Sequence, residues 1–159
     1  MIVVSDTTAI SNLFQVGLIG VLRALYTQII ISPGVYRELS RVPAQAKLLE
    51  NTKDWIKVEY PRNQQFTSQL LESLDLGEAE SIVLAVELKA EYLIIDEKLG
   101  RAIATSHGVR ITGVLGVLIK AKKEGLIDTV SEPIDRLREL GFWLNEKLVN
   151  KVLTALGER

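Results

Sequence analysis

The stretch Met1-Ile-Val-Val-Ser-Asp-Thr-Thr8 decides the fold, because a short apolar run ends abruptly in polar residues. An apolar run with β-branched residues and a polar stop is typical of a short buried strand. Runs of the same form occupy residues 29–31 and 92–95, further strands are predicted at residues 55–60 and 109–111, and segments with helical spacing of apolar residues lie between them. This alternation predicts an α/β fold with a mainly parallel sheet and right-handed crossovers.

The length favours one domain over residues 1–159, since 159 residues can bury a sizeable core without disulfides or metals. No linker, repeat or low-complexity segment interrupts the chain. Residues 124–159 carry two further helical patterns and no strand pattern. We expect a helical C-terminal extension there, lying apart from the sheet core.

The composition excludes several classes of site. The chain has no cysteine and a single histidine, His107, which rules out a disulfide scaffold, a zinc ribbon, a thiol enzyme and a multi-histidine metal site. Any catalytic metal must be held mainly by carboxylates, which favour Mg²⁺ or Mn²⁺. The net charge of −1 argues against a strongly basic nucleic-acid binder but allows local basic patches.

The sequence also predicts where the protein works. No basic segment precedes an apolar stretch at the N-terminus, and no apolar run is long enough to cross a bilayer. We therefore expect no signal peptide, no membrane association and a cytoplasmic location.

Acidic residues follow two of the predicted strands. Asp6 ends the first run and Asp96 ends the run at residues 92–95. Because the carboxyl ends of parallel strands share one edge of a sheet, the two carboxylates together predict a site there. Each of them could instead serve only as a turn or helix N-cap residue. Glu38 lies at the border of an apolar helical stripe, where it could equally be a plain surface residue.

A strongly apolar helix is predicted over residues 77–90, with Asp75 as its N-cap. Glu78 and Glu80 flank the centre of its apolar stripe on opposite sides, so the helical wheel does not choose between them. Both lie in the first turn, where acidic residues are favoured by the helix dipole alone.

The whole chain resembles PIN domains, in particular a prokaryotic subgroup related to the VapC toxins. The resemblance rests on Ser5-Asp-Thr-Thr8 with Ser11-Asn12, Pro33-Gly-Val-Tyr-Arg-Glu-Leu39, Leu76-Gly-Glu-Ala-Glu-Ser-Ile-Val-Leu-Ala85, Leu93-Ile-Ile-Asp-Glu97, Thr112-Gly-Val-Leu-Gly-Val-Leu118 and Ala121-Lys-Lys-Glu-Gly-Leu-Ile127.

The resemblance implies an α/β/α sandwich, a carboxylate cluster that binds Mg²⁺ or Mn²⁺, and hydrolysis of RNA phosphodiester bonds. It implies four catalytic and metal-binding acids: Asp6, Glu38, Glu80 and Asp96. The family's order of residues favours Glu80 over Glu78 and the end of the strand favours Asp96 over Glu97, and we keep Glu78 and Glu97 as alternative metal ligands.

Supporting residues are predicted around these acids. The side chains of Thr7, Ser11 and Asn12 could hold a ligand carboxylate or a water molecule, although capping of the first helix explains them equally well. The nearest basic residues in sequence are predicted to contact RNA, or otherwise to form a charged surface: Lys98, Arg101 and Arg110.

The resemblance further implies a homodimer and a small antitoxin protein that places a basic side chain among the acids. The predicted contact includes one of two apolar segments, the helix at residues 18–26 or the C-terminal segment, although both could equally well pack only on the sheet. Two other interpretations compete with a toxin-like ribonuclease. One is a Mg²⁺-dependent phosphatase or receiver-like protein, although Thr8 stands where the phosphatase pattern has a second Asp. The other is a PIN-like binding or assembly module with little or no catalysis.

Overall fold

Five parallel strands form the centre of the computed structural model, which describes all 159 residues. In chain order the strands are β1 (Val3–Ser5), β2 (Ile29–Ile31), β3 (Ile56–Val58), β4 (Tyr92–Ile94) and β5 (Ile111–Thr112). Their order across the sheet is β3-β2-β1-β4-β5, and every neighbouring pair is parallel. The predicted α/β fold with a parallel sheet is confirmed, with β1 at the centre and β3 and β5 at the edges.

Ten helices surround the sheet: α1 (Thr7–Gln15), α2 (Ile19–Tyr26), α3 (Pro33–Ser40), α4 (Pro43–Asn51), α5 (Gln64–Leu70), α6 (Leu76–Glu87), α7 (Lys98–Ser106), α8 (Val114–Lys123), α9 (Ser131–Glu139) and α10 (Glu146–Ala155). No single helix has the length and apolar character needed to cross a membrane. Helices α1 and α2 have that length and composition only when taken together, and they are bent by 119° relative to each other.

The strands are short and apolar because both faces of the sheet are covered. Successive side chains of a strand point to opposite faces, so Val3 joins a cluster of 26 buried residues and Val4 joins a second cluster of 13. Helices α5, α6 and α7 cover the smaller cluster, whereas α1, α2 and α8 cover the larger one. The predicted sandwich of helices around a sheet is therefore confirmed.

The register of the two central strands positions the candidate acids. Val3 pairs with Tyr92 and Ser5 pairs with Ile94, and the backbone N–H of Asp6 continues the ladder by donating to the Ile94 carbonyl at 3.0 Å. Asp6 and Asp96 consequently leave the sheet at the same edge, on neighbouring strands.

The C-terminal residues are helical, as expected, but they do not lie apart from the sheet core. The buried side chains of α9 and α10 belong to the same cluster as β1, α1 and α8: Ile134, Leu137, Val149 and Leu153. Glu158 ties this segment down by accepting hydrogen bonds from the backbone of Val130 and Ser131 and from Lys122 Nζ at 2.6 Å. The apolar spacing of these helices could be read from the sequence, whereas the surface they cover could not.

Candidate metal centre

Asp6 is the most buried acid of the site, with 3 % of its surface exposed. It is the N-cap of α1, and its Oδ1 accepts a long hydrogen bond of 3.5 Å from the Ala9 backbone. Burial, followed by the charge of Asp96, raises the pKa of Asp6 to about 8, and the charges of Glu78 and Asp75 act in the same direction. The negative charge of an ionised Asp6 is therefore poorly compensated in the protein as it stands.

Asp96 follows the end of β4 and faces the first residue of α8. Both of its carboxylate oxygens accept from the Val114 backbone N–H, at 3.1 and 3.3 Å. Burial raises its pKa, while that hydrogen bond and the charge of Arg101 lower it. Arg101 also donates to the Ile95 carbonyl at 2.8 Å. A Cβ at Gly113 would overlap Asp96 Oδ1, so this close packing requires glycine there.

Glu78 lies in the first turn of α6, in a reciprocal capping arrangement with Asp75. Asp75 Oδ1 accepts from the Glu78 backbone at 2.8 Å, and Glu78 Oε1 accepts from the Asp75 backbone at 3.2 Å. Burial raises the pKa of Glu78 to about 7, and the charges of Asp75 and Glu97 raise it further. Glu78 therefore belongs to the same electrostatic cluster as Asp6.

Glu80 is directed toward a different element. Its Oε1 accepts from the Gly34 backbone N–H, at the start of α3, at 2.7 Å. A Cβ at Gly34 would lie 2.5 Å from the same oxygen, so the contact is close. Of the two acids that flank the stripe of α6, Glu78 is the one whose charge raises the pKa of Asp6.

Glu38 reaches the site through Thr7, the neighbour of Asp6. Thr7 Oγ1 donates to Glu38 Oε2 at 2.9 Å. The same carboxylate oxygen lies 3.3 Å from where a Cβ on Gly77 would stand, which brings Glu38 against the first turn of α6. The side chains of α1, α3 and α6 thus converge beside Asp6.

The other predicted site residues are distributed more widely. Glu97 is an exposed N-cap of α7 and accepts from the Leu99 backbone at 3.0 Å. Lys98 is exposed at the start of α7. Arg110 precedes β5, which was expected at residues 109–111 and instead covers Ile111–Thr112, so Arg110 lies at the amino edge of the sheet, opposite the acids.

Of the three residues proposed to support the ligands, only Thr7 contacts a candidate acid. Ser11 Oγ accepts from Gln15 at 3.0 Å and from Gln45 at 2.7 Å. The Nδ2 atom of Asn12 is buried without a hydrogen-bond partner.

Asp75 is the functional candidate that sequence reasoning missed, since it was read only as an N-cap. Its charge raises the pKa of both Asp6 and Glu78. The signal was present in the spacing: an N-cap and the acid three residues later form a capping box, which fixes both carboxylates at one helix N-terminus.

The acids of this site offer the right donor atoms for a metal ion but are spaced too widely to hold one as they stand. No group of three or more acidic or histidine side chains lies close enough to hold one. The chemistry nevertheless fits a hard divalent cation, because the cluster offers only oxygen ligands, and because burial, together with the neighbouring acids, raises the pKa values of Asp6 and Glu78. Binding would require the carboxylates to draw together from their present hydrogen bonds.

A comparison with family models gives one match, to a model described as a PIN domain, over residues 2–158. No curated protein sequence matches the chain. PIN domains are in general nucleases, and they typically use divalent metal ions. Since the match spans almost every residue and the parallel sheet is the one expected, the chain belongs to the PIN-domain family.

Proposed function

We propose that this protein is an endoribonuclease that uses Mg²⁺ or Mn²⁺ to hydrolyse RNA phosphodiester bonds. The observation that carries the proposal is the uncompensated carboxylate of Asp6, buried at the end of the central strand and surrounded by other acids. An ionised carboxylate in that setting lowers the free energy of unfolding, and a bound cation would offset this loss of stability.

The proposed ligands are Asp6, Asp96 and Glu78, with Glu38 at the margin. Glu78 is preferred to Glu80 because the Glu80 carboxylate is engaged with the Gly34 backbone. A bound divalent cation would supply an activated water molecule and stabilise charge on the departing oxygen.

The residues around the ligands have separate tasks. The Val114 N–H orients Asp96, and the positive charge of Arg101 favours its ionised form. Thr7 orients Glu38 by its hydroxyl hydrogen bond. Burial of Asp6 excludes water from one side of the cluster, which strengthens every electrostatic interaction there.

The decisive experiment is cleavage of a pool of RNAs by metal-free protein, to which Mg²⁺ or Mn²⁺ is then added. We expect cleavage only with metal, and none by Asp6→Asn. The matched control is Asp54→Asn, because Asp54 is an exposed acid paired with Arg23 on the surface. Equal cleavage by the Asp6→Asn variant would contradict the proposal.

We also propose that the protein is the toxin of a toxin–antitoxin pair and forms a homodimer. The support for a dimer is an exposed apolar group at the C-terminal helices: Trp143 is 79 % exposed, Leu140 54 % and Leu148 50 %. Trp143→Glu should then shift the mass measured by light scattering from dimer to monomer. For toxicity, induced expression should arrest growth of a host with the wild-type chain and not with Asp6→Asn.

One observation favours a second function, a PIN-like binding module without catalysis. Most of the acids already accept hydrogen bonds from helix N-terminal backbone groups, and no three of them are close enough to hold a metal. A melting temperature that does not change on addition of Mg²⁺ or Mn²⁺, together with RNA binding without cleavage, would favour this second function.

A further inference from the structure

A groove of about 720 Å³ opens beside the edge strand β3, separate from the acid cluster. Its floor is apolar and comes from β2, β3 and the end of α4. We call it the tyrosine groove and define it by its polar and aromatic rim: Tyr36, Arg37, Lys53, Lys57, Tyr60 and Glu80.

The rim combines stacking surfaces with positive charge. Tyr60 is 73 % exposed and Tyr36 is 37 % exposed, although large aromatic side chains are usually buried by a fold of this size. Three cationic side chains line the groove against a single carboxylate, in a chain whose net charge is −1. The groove is therefore a local positive patch on a protein that is slightly acidic overall.

The groove and the candidate metal centre draw residues from the same two helices. Glu80 lines the groove and lies two residues after Glu78 on α6. Tyr36 and Arg37 line the groove from α3, and the next residue, Glu38, accepts the hydrogen bond from Thr7 beside Asp6.

We infer that the tyrosine groove binds the single-stranded part of an RNA substrate, with bases stacked on the tyrosines and phosphates held by the cations. The inference rests on the proposed function for the identity of the substrate. Aromatic rings beside cations are the usual means of holding single strands, and paired bases in a duplex do not offer their faces. An acidic peptide would use the cations and leave the tyrosine rings without a partner.

The first test measures binding of a fluorescent oligoribonucleotide by anisotropy, with wild-type protein kept metal-free by a chelator so that no cleavage occurs. Tyr60→Ala should weaken binding about tenfold, since stacking of one base contributes about that much. Tyr60→Phe keeps the ring and should bind as wild type does. Leu71→Ala removes an exposed apolar side chain outside the groove and should change nothing.

An abasic oligonucleotide of the same length separates stacking from phosphate contacts. Tyr60→Ala should not weaken its binding. Lys53→Ala and Lys57→Ala should weaken binding of both oligonucleotides, and each should reduce the slope of log affinity against log salt by about 0.7. The control, Lys147→Ala with Lys151→Ala on α10, removes exposed charges elsewhere and should leave the slope unchanged.

The inference would be overturned by no binding of the oligonucleotide, by an equal loss in Tyr60→Ala and Leu71→Ala, or by unchanged binding in both lysine variants. The last result would mean that Lys57 serves only to prevent other chains from pairing with the exposed edge strand β3. Capture of an acidic peptide by the groove in place of the oligonucleotide would also overturn it. Because binding is measured without metal, metal-dependent cleavage by a protein whose groove variants bind normally would leave the proposed function standing.

Discussion

Asp6 and Glu158 both carry side chains with little exposed surface, but only Glu158 has hydrogen bonds that compensate its charge. Asp6 has one long hydrogen bond and acidic neighbours, and its pKa is raised to about 8 by burial and by Asp96. Burial also raises the pKa of Glu158, but the hydrogen bonds from Lys122, Val130 and Ser131 outweigh it and bring the pKa to about 2.

The ionised Glu158 stabilises the folded protein, whereas the ionised Asp6 destabilises it. Glu158 is paired with Lys122 and accepts hydrogen bonds from the backbone of Val130 and Ser131, so its charge stabilises the packing of α8, α9 and α10. The charge of Asp6 has no cationic partner, so only a bound ligand such as a metal cation would stabilise it. Val114, which donates to Asp96, and Lys122, which donates to Glu158, lie near opposite ends of α8, about 12 Å apart along that helix.

The largest expected effect is on catalysis. Asp6→Asn should reduce metal-dependent RNA cleavage roughly a hundredfold or more, because it removes a charge that acts in the transition state. Glu158→Gln should cleave normally at a temperature at which it remains folded. Initial rates on one RNA substrate compare the two, and a similar loss in both variants would show that Asp6 acts only through folding.

The second effect is on stability and concerns Glu158. Glu158→Gln should lower the free energy of unfolding by roughly 2 to 3 kcal/mol, because it leaves the half-buried Lys122 without its partner. Since the folded pKa lies below the unfolded one, the contribution is present above pH 4.5 and is lost as the pH falls toward about 2. Urea melts at pH 7 and pH 2 measure it, and a difference that persists at pH 2 would contradict this account.

The third effect has the opposite sign. For Asp6 the folded pKa lies above the unfolded one, so the metal-free protein should lose stability as the pH rises from about 4 to about 8. Asp6→Asn should therefore stabilise the metal-free protein at pH 8 by about 2 kcal/mol, which is roughly 4–8 °C in melting temperature. The variant should gain nothing from Mg²⁺ or Mn²⁺. A lower melting temperature than that of wild type in metal-free buffer would mean that the Asp6 charge stabilises the fold.

The smallest effect decides between the two acids of α6. Glu78→Gln should reduce cleavage about tenfold more than Glu80→Gln, since Glu78 is coupled to Asp6 and Glu80 is bonded to α3. Glu80→Gln should instead lower the melting temperature by a few degrees, because it weakens the contact between α3 and α6. The reverse order of activities would restore Glu80 as the metal ligand.

The sequence was sufficient to predict the alternation of strands and helices along the chain, because the apolar runs and the polar residues that end them are local signals. Parallel topology predicted that Asp6 and Asp96 leave the sheet at one edge, whereas the pairing of β1 with β4, which makes their strands neighbours, was not predicted. Strand ends were less certain: β5 begins two residues later than expected, which is enough to put Arg110 at the far edge.

Other features depended on contacts that no local pattern encodes. A helical wheel cannot tell that the start of α3 offers its Gly34 N–H to Glu80 while Glu78 is left facing Asp6. Likewise, the apolar stripes of α9 and α10 predict burial without saying against what. Glu158 shows the same limit, since its donors come from residues 27 and 28 positions earlier in the chain.

The central place of β1 has a consequence for the kinetics of folding. β1 precedes the other strands in the chain, yet its partner β4 follows only after β2, β3 and six helices, and Val3 pairs with the distant Tyr92. Pairing between such distant segments is slow, because a long loop has to close before any contact rewards it. In a refolding experiment we expect helical circular dichroism to recover before metal binding does, because a half-folded chain keeps Asp6 and Asp96 apart.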